Sequence, residues 1–149
     1  MKIRLLLVTL VSALTLAWGV QAQDAKKEGQ TQLGAHMDKI GAAFRAIRRQ
    51  ATDATKNADS LAQVAIVREN AQAALKLEPA KKADVPAADQ AKFVADYQAK
   101  LKEFIALVDK LEAALKANNN AEVEKLVGSM ADAQKAGHKE FQKKKEKKG

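Results

Sequence analysis

The stretch Thr31-Gln-Leu-Gly-Ala-His-Met-Asp-Lys-Ile-Gly-Ala-Ala-Phe-Arg-Ala-Ile47 sets Leu33, Met37, Ile40, Phe44 and Ile47 at spacings of four, three, four and three. That alternation follows the helical period and lines one face of an amphipathic helix, whereas a half-buried strand would repeat every two residues. The spacing predicts a helix from Thr31 to about Thr52, with an apolar stripe that must be covered by other elements.

The same period recurs along the chain. Asp59 or Ser60 can cap a second helix with Leu61, Val64, Val67, Ala71, Ala74 and Leu75 on its apolar face, stopping before Pro79. Both prolines, Pro79 and Pro86, fall between Glu78 and Ala88, the only long loop the pattern permits. A third helix is predicted from about Ala88 to Ala117, burying Phe93, Tyr97, Leu101, Phe104, Leu107, Val108, Leu111 and Leu115. Asn118-Asn119-Asn120 breaks it, and Val123, Val127, Met130, Gln134, His138 and Phe141 mark a fourth helix that frays into the basic tail 143–149. No stretch has the strand period. The predicted fold is all-α, an antiparallel up-down-up-down four-helix bundle.

The N-terminus is of another kind. Lys2 and Arg4 precede the apolar run Leu5 to Trp18, and Val20-Gln21-Ala22 ends it with small residues, the order of a secretory signal peptide. The run is also too short for a stable membrane span. The expected product is periplasmic, with a loose arm over residues 23–30 and the bundle over residues 31–149. Removing residues 1–22 takes away two bases and no acid, so the formal charge falls from +8 to +6. With no cysteine in 149 residues, disulfides, thiolate metal sites and a lipid-anchored cysteine are all excluded.

In such a bundle the start of the first helix and the end of the fourth share one end, where Met37 and His138 lie at similar depth. A thioether and an imidazole facing each other across a core form the axial pair of a six-coordinate haem iron. Gly34 and Gly41 lie on the Met37 side of the first helix, and Gly137 precedes His138. Each glycine costs about 1 kcal/mol against alanine inside a helix, so a reason beyond helix stability is needed. Two present themselves: room for a flat macrocycle, or close approach of two helices. Spacing leaves the first-helix ligand open, because Met37 and His36 lie about 50° to either side of the stripe centre. The glycines favour Met37, and a pair formed by His36 and His138 is the alternative.

With these residues in view, the chain resembles the soluble cytochrome b562 family of periplasmic four-helix bundles. The resemblance is carried by Leu33-x3-Met37-x2-Ile40-x3-Phe44-x2-Ile47 and by Ala136-Gly137-His138-Lys139-Glu140-Phe141, and it extends over about Thr31 to Lys143. It implies one non-covalent haem b, with Met37 and His138 as metal ligands. Gly34, Ile40, Gly41, Phe44, Gln134 and Phe141 would then line the cofactor, Phe104 would pack on it, and Pro79 would lie at its edge. The cytochromes c′ bind haem through Cys-x-x-Cys-His, but the corresponding stretch here is Gln134-Lys135-Ala136-Gly137-His138, which allows no thioether bond. Relatives often carry arginines one turn either side of the histidine. Here those positions hold Gln134 and Gln142, which leaves Lys135 or Lys139 to meet a propionate.

No nucleophile triad, phosphate loop or zinc spacing is present, so the expectation is electron transfer and not catalysis. The alternative is a haem-free bundle that binds an anionic partner through its basic tail. Nucleic acid is not an expected partner, because the five aromatics after the leader (Phe44, Phe93, Tyr97, Phe104 and Phe141) sit on predicted core faces. For a cytochrome, the cationic surface would attract an acidic redox partner.

Overall fold

The computed structural model describes residues 31–143. The predicted signal peptide, the N-terminal arm and the end of the basic tail, residues 1–30 and 144–149, lie outside them. Four helices make up the fold: α1 (Gln32–Gln50), α2 (Asn57–Ala74), α3 (Gln90–Lys116) and α4 (Asn120–Phe141). No strand occurs among the described residues, and the arrangement is consistent with a four-helix bundle.

Local chemistry sets the ends. Thr31 caps α1, its hydroxyl accepting from the Gly34 N–H at 3.0 Å, so Gly34 sits in the first turn, where glycine costs less than mid-helix. α2 begins earlier than predicted. Asp53 accepts from the Thr55 N–H at 2.9 Å and starts a short 3₁₀ turn, Ala54–Lys56, that runs straight into Asn57. Ser60 is buried and donates to Gln50 at 3.0 Å, tying α2 to the end of α1 instead of capping a helix. The proline segment is a loop holding two 3₁₀ turns, Ala80–Asp84 and Ala87–Asp89.

The three asparagines between α3 and α4 have separate tasks. Asn118 adopts φ 52°, and the Asn118 and Asn119 N–H groups donate back to Leu115 and Ala114, the paired bonds of a left-handed helix terminus. Asn119 caps α4 by accepting from the Glu122 N–H at 3.2 Å. Asn120 donates to the Ala51 carbonyl at 3.0 Å and exchanges bonds with buried Asn57, locking the α1–α2 link to the α3–α4 link.

The core runs between these links and the opposite end. Ile47, Val67, Val108, Leu111, Val123 and Met130 are 0% exposed, as their helical spacing predicts. Phe93 and Leu107, also expected inside, are only partly buried. Arg68 on α2 pairs with Asp109 and Glu112 on α3, adding a rim contact of modest worth.

At the far end of α2, the buried Tyr97 hydroxyl donates to the Ala74 carbonyl at 2.9 Å. Burial pushes this phenol up to about 12 from 10.0. Because the folded value lies above the unfolded one, the stabilisation is complete below pH 10 and is lost as pH rises towards 12. Tyr97→Phe is expected to cost about 1 kcal/mol at neutral pH, since Ala74 still accepts from the Leu77 N–H. The variant should also flatten the alkaline decline. Urea unfolding at pH 7 and at pH 11 checks both expectations, and identical declines in the two proteins would assign the loss to other groups.

Candidate functional site

The two flanks of α1 face different neighbours. His36, half-buried, points to α2, where its Nδ1 lies 2.8 Å from Asn70 Oδ1. Asn70 donates its own amide to the Ile66 carbonyl at 2.9 Å, which turns its oxygen towards the ring and assigns the hydrogen to His36 Nδ1. The other flank carries buried Gly41. A Cβ built there would lie 3.5 Å from Arg45 Nη1 and 4.0 Å from Gln134 Nε2, so this flank faces α4. Met37 stands one turn before Gly41 on the same flank, half-buried and packed against the core. It differs from Met130, which is wholly enclosed and fills the core.

On α4 one sequence expectation needs correction. The apolar face read through Val123, Val127, Met130, Gln134, His138 and Phe141 is buried at its apolar members, but Gln134 is half-buried and His138 is exposed. The centre of the buried residues lies about 70° round the helix from His138, which puts the imidazole at the rim beside the α1-facing flank. Its ring makes no hydrogen bond or ion pair with a described residue. Phe141 is buried but is held by α3, with ring centroids 5.3 Å from Phe93 and 5.5 Å from Tyr97. Ile40, Phe44 and Phe104 are buried in the core.

The last turn of α4 is strapped from outside by the loop after α2. Lys81 donates to the Glu140 carbonyl, and Asp84 pairs with Lys143 at 3.0 Å. Pro79, at the root of this strap, is buried. These contacts fix the turn that carries His138, and nothing in the spacing of the apolar residues foretold them, since Lys81 and Asp84 read only as loop charge.

A Cβ would meet nothing within 4 Å at Gly137 and only ordinary contacts at Gly41. Close helix approach is therefore not what requires glycine at either position. α1 and α4 touch much more sparsely than α1–α2, α2–α3 or α3–α4 do. The thioether and imidazole on facing flanks, the space at Gly137 where a Cβ would meet nothing, and this sparse seam over buried Ile40 and Phe44 fit a flat, largely apolar cofactor with two axial positions. Among the described residues there is no group of three or more His, Cys, Asp or Glu placed to hold a metal ion, and no helix is long and apolar enough to cross a membrane.

A cationic feature escaped the sequence reading. Arg45, Arg48 and Arg49, at helical spacing on the last turns of α1, line an open cleft of about 360 Å³. None of them pairs with a carboxylate among the described residues. The i, i+3, i+4 spacing was the available signal.

Comparison with known proteins finds that the family described as Cytochrome b562 matches the chain over residues 32–142. No curated protein and no solved structure matches.

Proposed function

The chain belongs to the cytochrome b562 family, and from that premise we propose that it is a periplasmic electron carrier holding one non-covalent haem b between α1 and α4, with Met37 and His138 as axial ligands. The observation that carries this ligand pair is the approach of Gly41 to Gln134 across the seam. In a bundle whose helices run alternately up and down, one turn back from Gly41 and one turn on from Gln134 reach the same level, about 6 Å along the axis. Those positions are Met37 and His138. The alternating direction is supported by the bonds His36 to Asn70 and Ser60 to Gln50, which join the start of α1 to the end of α2 and the end of α1 to the start of α2. His36 is engaged on the α2 side, which favours Met37 as the ligand from α1.

Bound haem iron would supply a one-electron couple, and with two strong protein ligands no position stays open for a substrate. The exposed imidazole of His138 has no bond to a described residue to break before it would turn into the seam. Ile40, Phe44 and Phe104 would keep water from that side and disfavour the ferric charge, and the neutral thioether of Met37 would raise the reduction potential relative to a bis-histidine site. The leader-like residues 1–22 support export, and exposed Lys135 and Lys139 suit an acidic partner whose association weakens with salt.

The test is an absorption titration of residues 23–149 with haemin, followed by dithionite reduction. A one-to-one endpoint with low-spin b-type bands is the expected result. Free-haemin spectra up to excess ligand would overturn the assignment and leave a haem-free cationic bundle as the reading.

A further inference from the structure

We infer that Arg45 on α1, with the amide of Gln134 beside it, forms a carboxylate clamp for a haem propionate; the inference rests on the haem-binding reading above. Both nitrogens lie within 4.0 Å of a single point, the place where a side chain on Gly41 would begin. A guanidinium presents five donors and no acceptor, and no carboxylate among the described residues takes any from Arg45. The head group folds back along its own helix towards the α4-facing flank, one turn from Met37, and a glycine keeps the space beside it free.

Charge on the opposite helix does not serve the same place. α4 carries Gln134 and Gln142 at one turn either side of His138. Lys139 stands almost opposite the buried face of α4; Lys135, like Arg45 on α1, is exposed and about 130° from its helix's buried centre, but only Arg45 is seen to bring its head group back to the Gly41 position, 3.5 Å away. The cation found beside Gln134 at the seam is therefore Arg45 of α1. A neutral amide and a planar fork together match the geometry of one carboxylate. Arg49 shares the cleft but lies on the solvent side of α1, so it supplies equal charge without the geometry.

The experiment compares haemin with its dimethyl ester, whose propionates are masked, on the wild type, Arg45→Gln, Arg45→Lys and Arg49→Gln. Arg45→Gln is expected to weaken haemin binding about tenfold and leave the ester within about twofold, as for loss of one partly exposed charge-assisted contact. Arg45→Lys should recover part of the loss, and Arg49→Gln should change neither ligand. A second readout is the pH dependence of the reduction potential, whose acid limb should move to higher pH in Arg45→Gln as the propionate loses its cation. Equal weakening of both ligands, no change in either, or an Arg49→Gln effect matching that of Arg45→Gln would overturn the clamp while leaving haem binding intact. If the wild type binds neither haemin nor the ester, the haem reading itself falls, and the clamp falls with it.

Discussion

Replacing His138 by alanine is expected to weaken haemin binding by more than about 100-fold, exceeding the loss typical when only a group supporting a ligand is removed. The expectation separates function from folding unusually well. His138 is exposed and makes no bond to a described residue, so the haem-free variant should unfold within about 0.5 kcal/mol of the wild type. The wild type should gain thermal stability when haemin is added, because a ligand that binds only the folded state stabilises it by mass action. His138→Ala should lose that gain. Thermal unfolding with and without haemin measures both, and imidazole added to the variant should restore part of the low-spin spectrum. Full retention of six-coordinate haem would remove His138 from the site.

The second large effect is expected at Met37. Unlike His138, Met37 is half-buried and packs on the core, so truncation to alanine mixes a folding cost of about 1–2 kcal/mol with any effect on the iron. Met37→Leu keeps the volume and removes the sulfur, which isolates ligation. In that variant the weak far-red methionine–ferric band should vanish, one coordination position should become accessible to added cyanide or imidazole, and the reduction potential should fall. Affinity should drop less than in His138→Ala, because the imidazole remains. An unchanged six-coordinate spectrum would point to His36 instead. That residue would then have to leave its 2.8 Å contact with Asn70, and His36→Ala in the same background would abolish the spectrum.

The helices and their buried faces were readable because both depend on local regularity. The spacing of Leu33, Ile40, Phe44 and Ile47 needs no knowledge of the partner surface to announce a helix with one wet and one dry side. The start of α2 lies earlier than the spacing predicts because the helix is entered from a 3₁₀ turn, capped by Asp53, that has no apolar period to reveal it. The buried polar residues Asn57, Ser60 and Asn70 were missed for a related reason. Each is tolerable inside only because a distant residue completes its hydrogen bonds, and that partner cannot be inferred from neighbours in sequence.

At the candidate site the division is sharper. Residue spacing alone singled out Met37, His36 and His138 and put Met37 and His36 on opposite flanks of one helix, because helical angles are set by the backbone and not by what surrounds it. Which flank meets which neighbour was decided only by the tertiary structure, through Asn70 beside His36 and Gln134 across from Gly41. The exposure of His138 and the absence of a carboxylate partner for Arg45 among the described residues also belong to that level. A helical wheel fixes angles relative to its own axis, whereas exposure and pairing depend on where three other axes lie, and those positions follow from packing of the whole core.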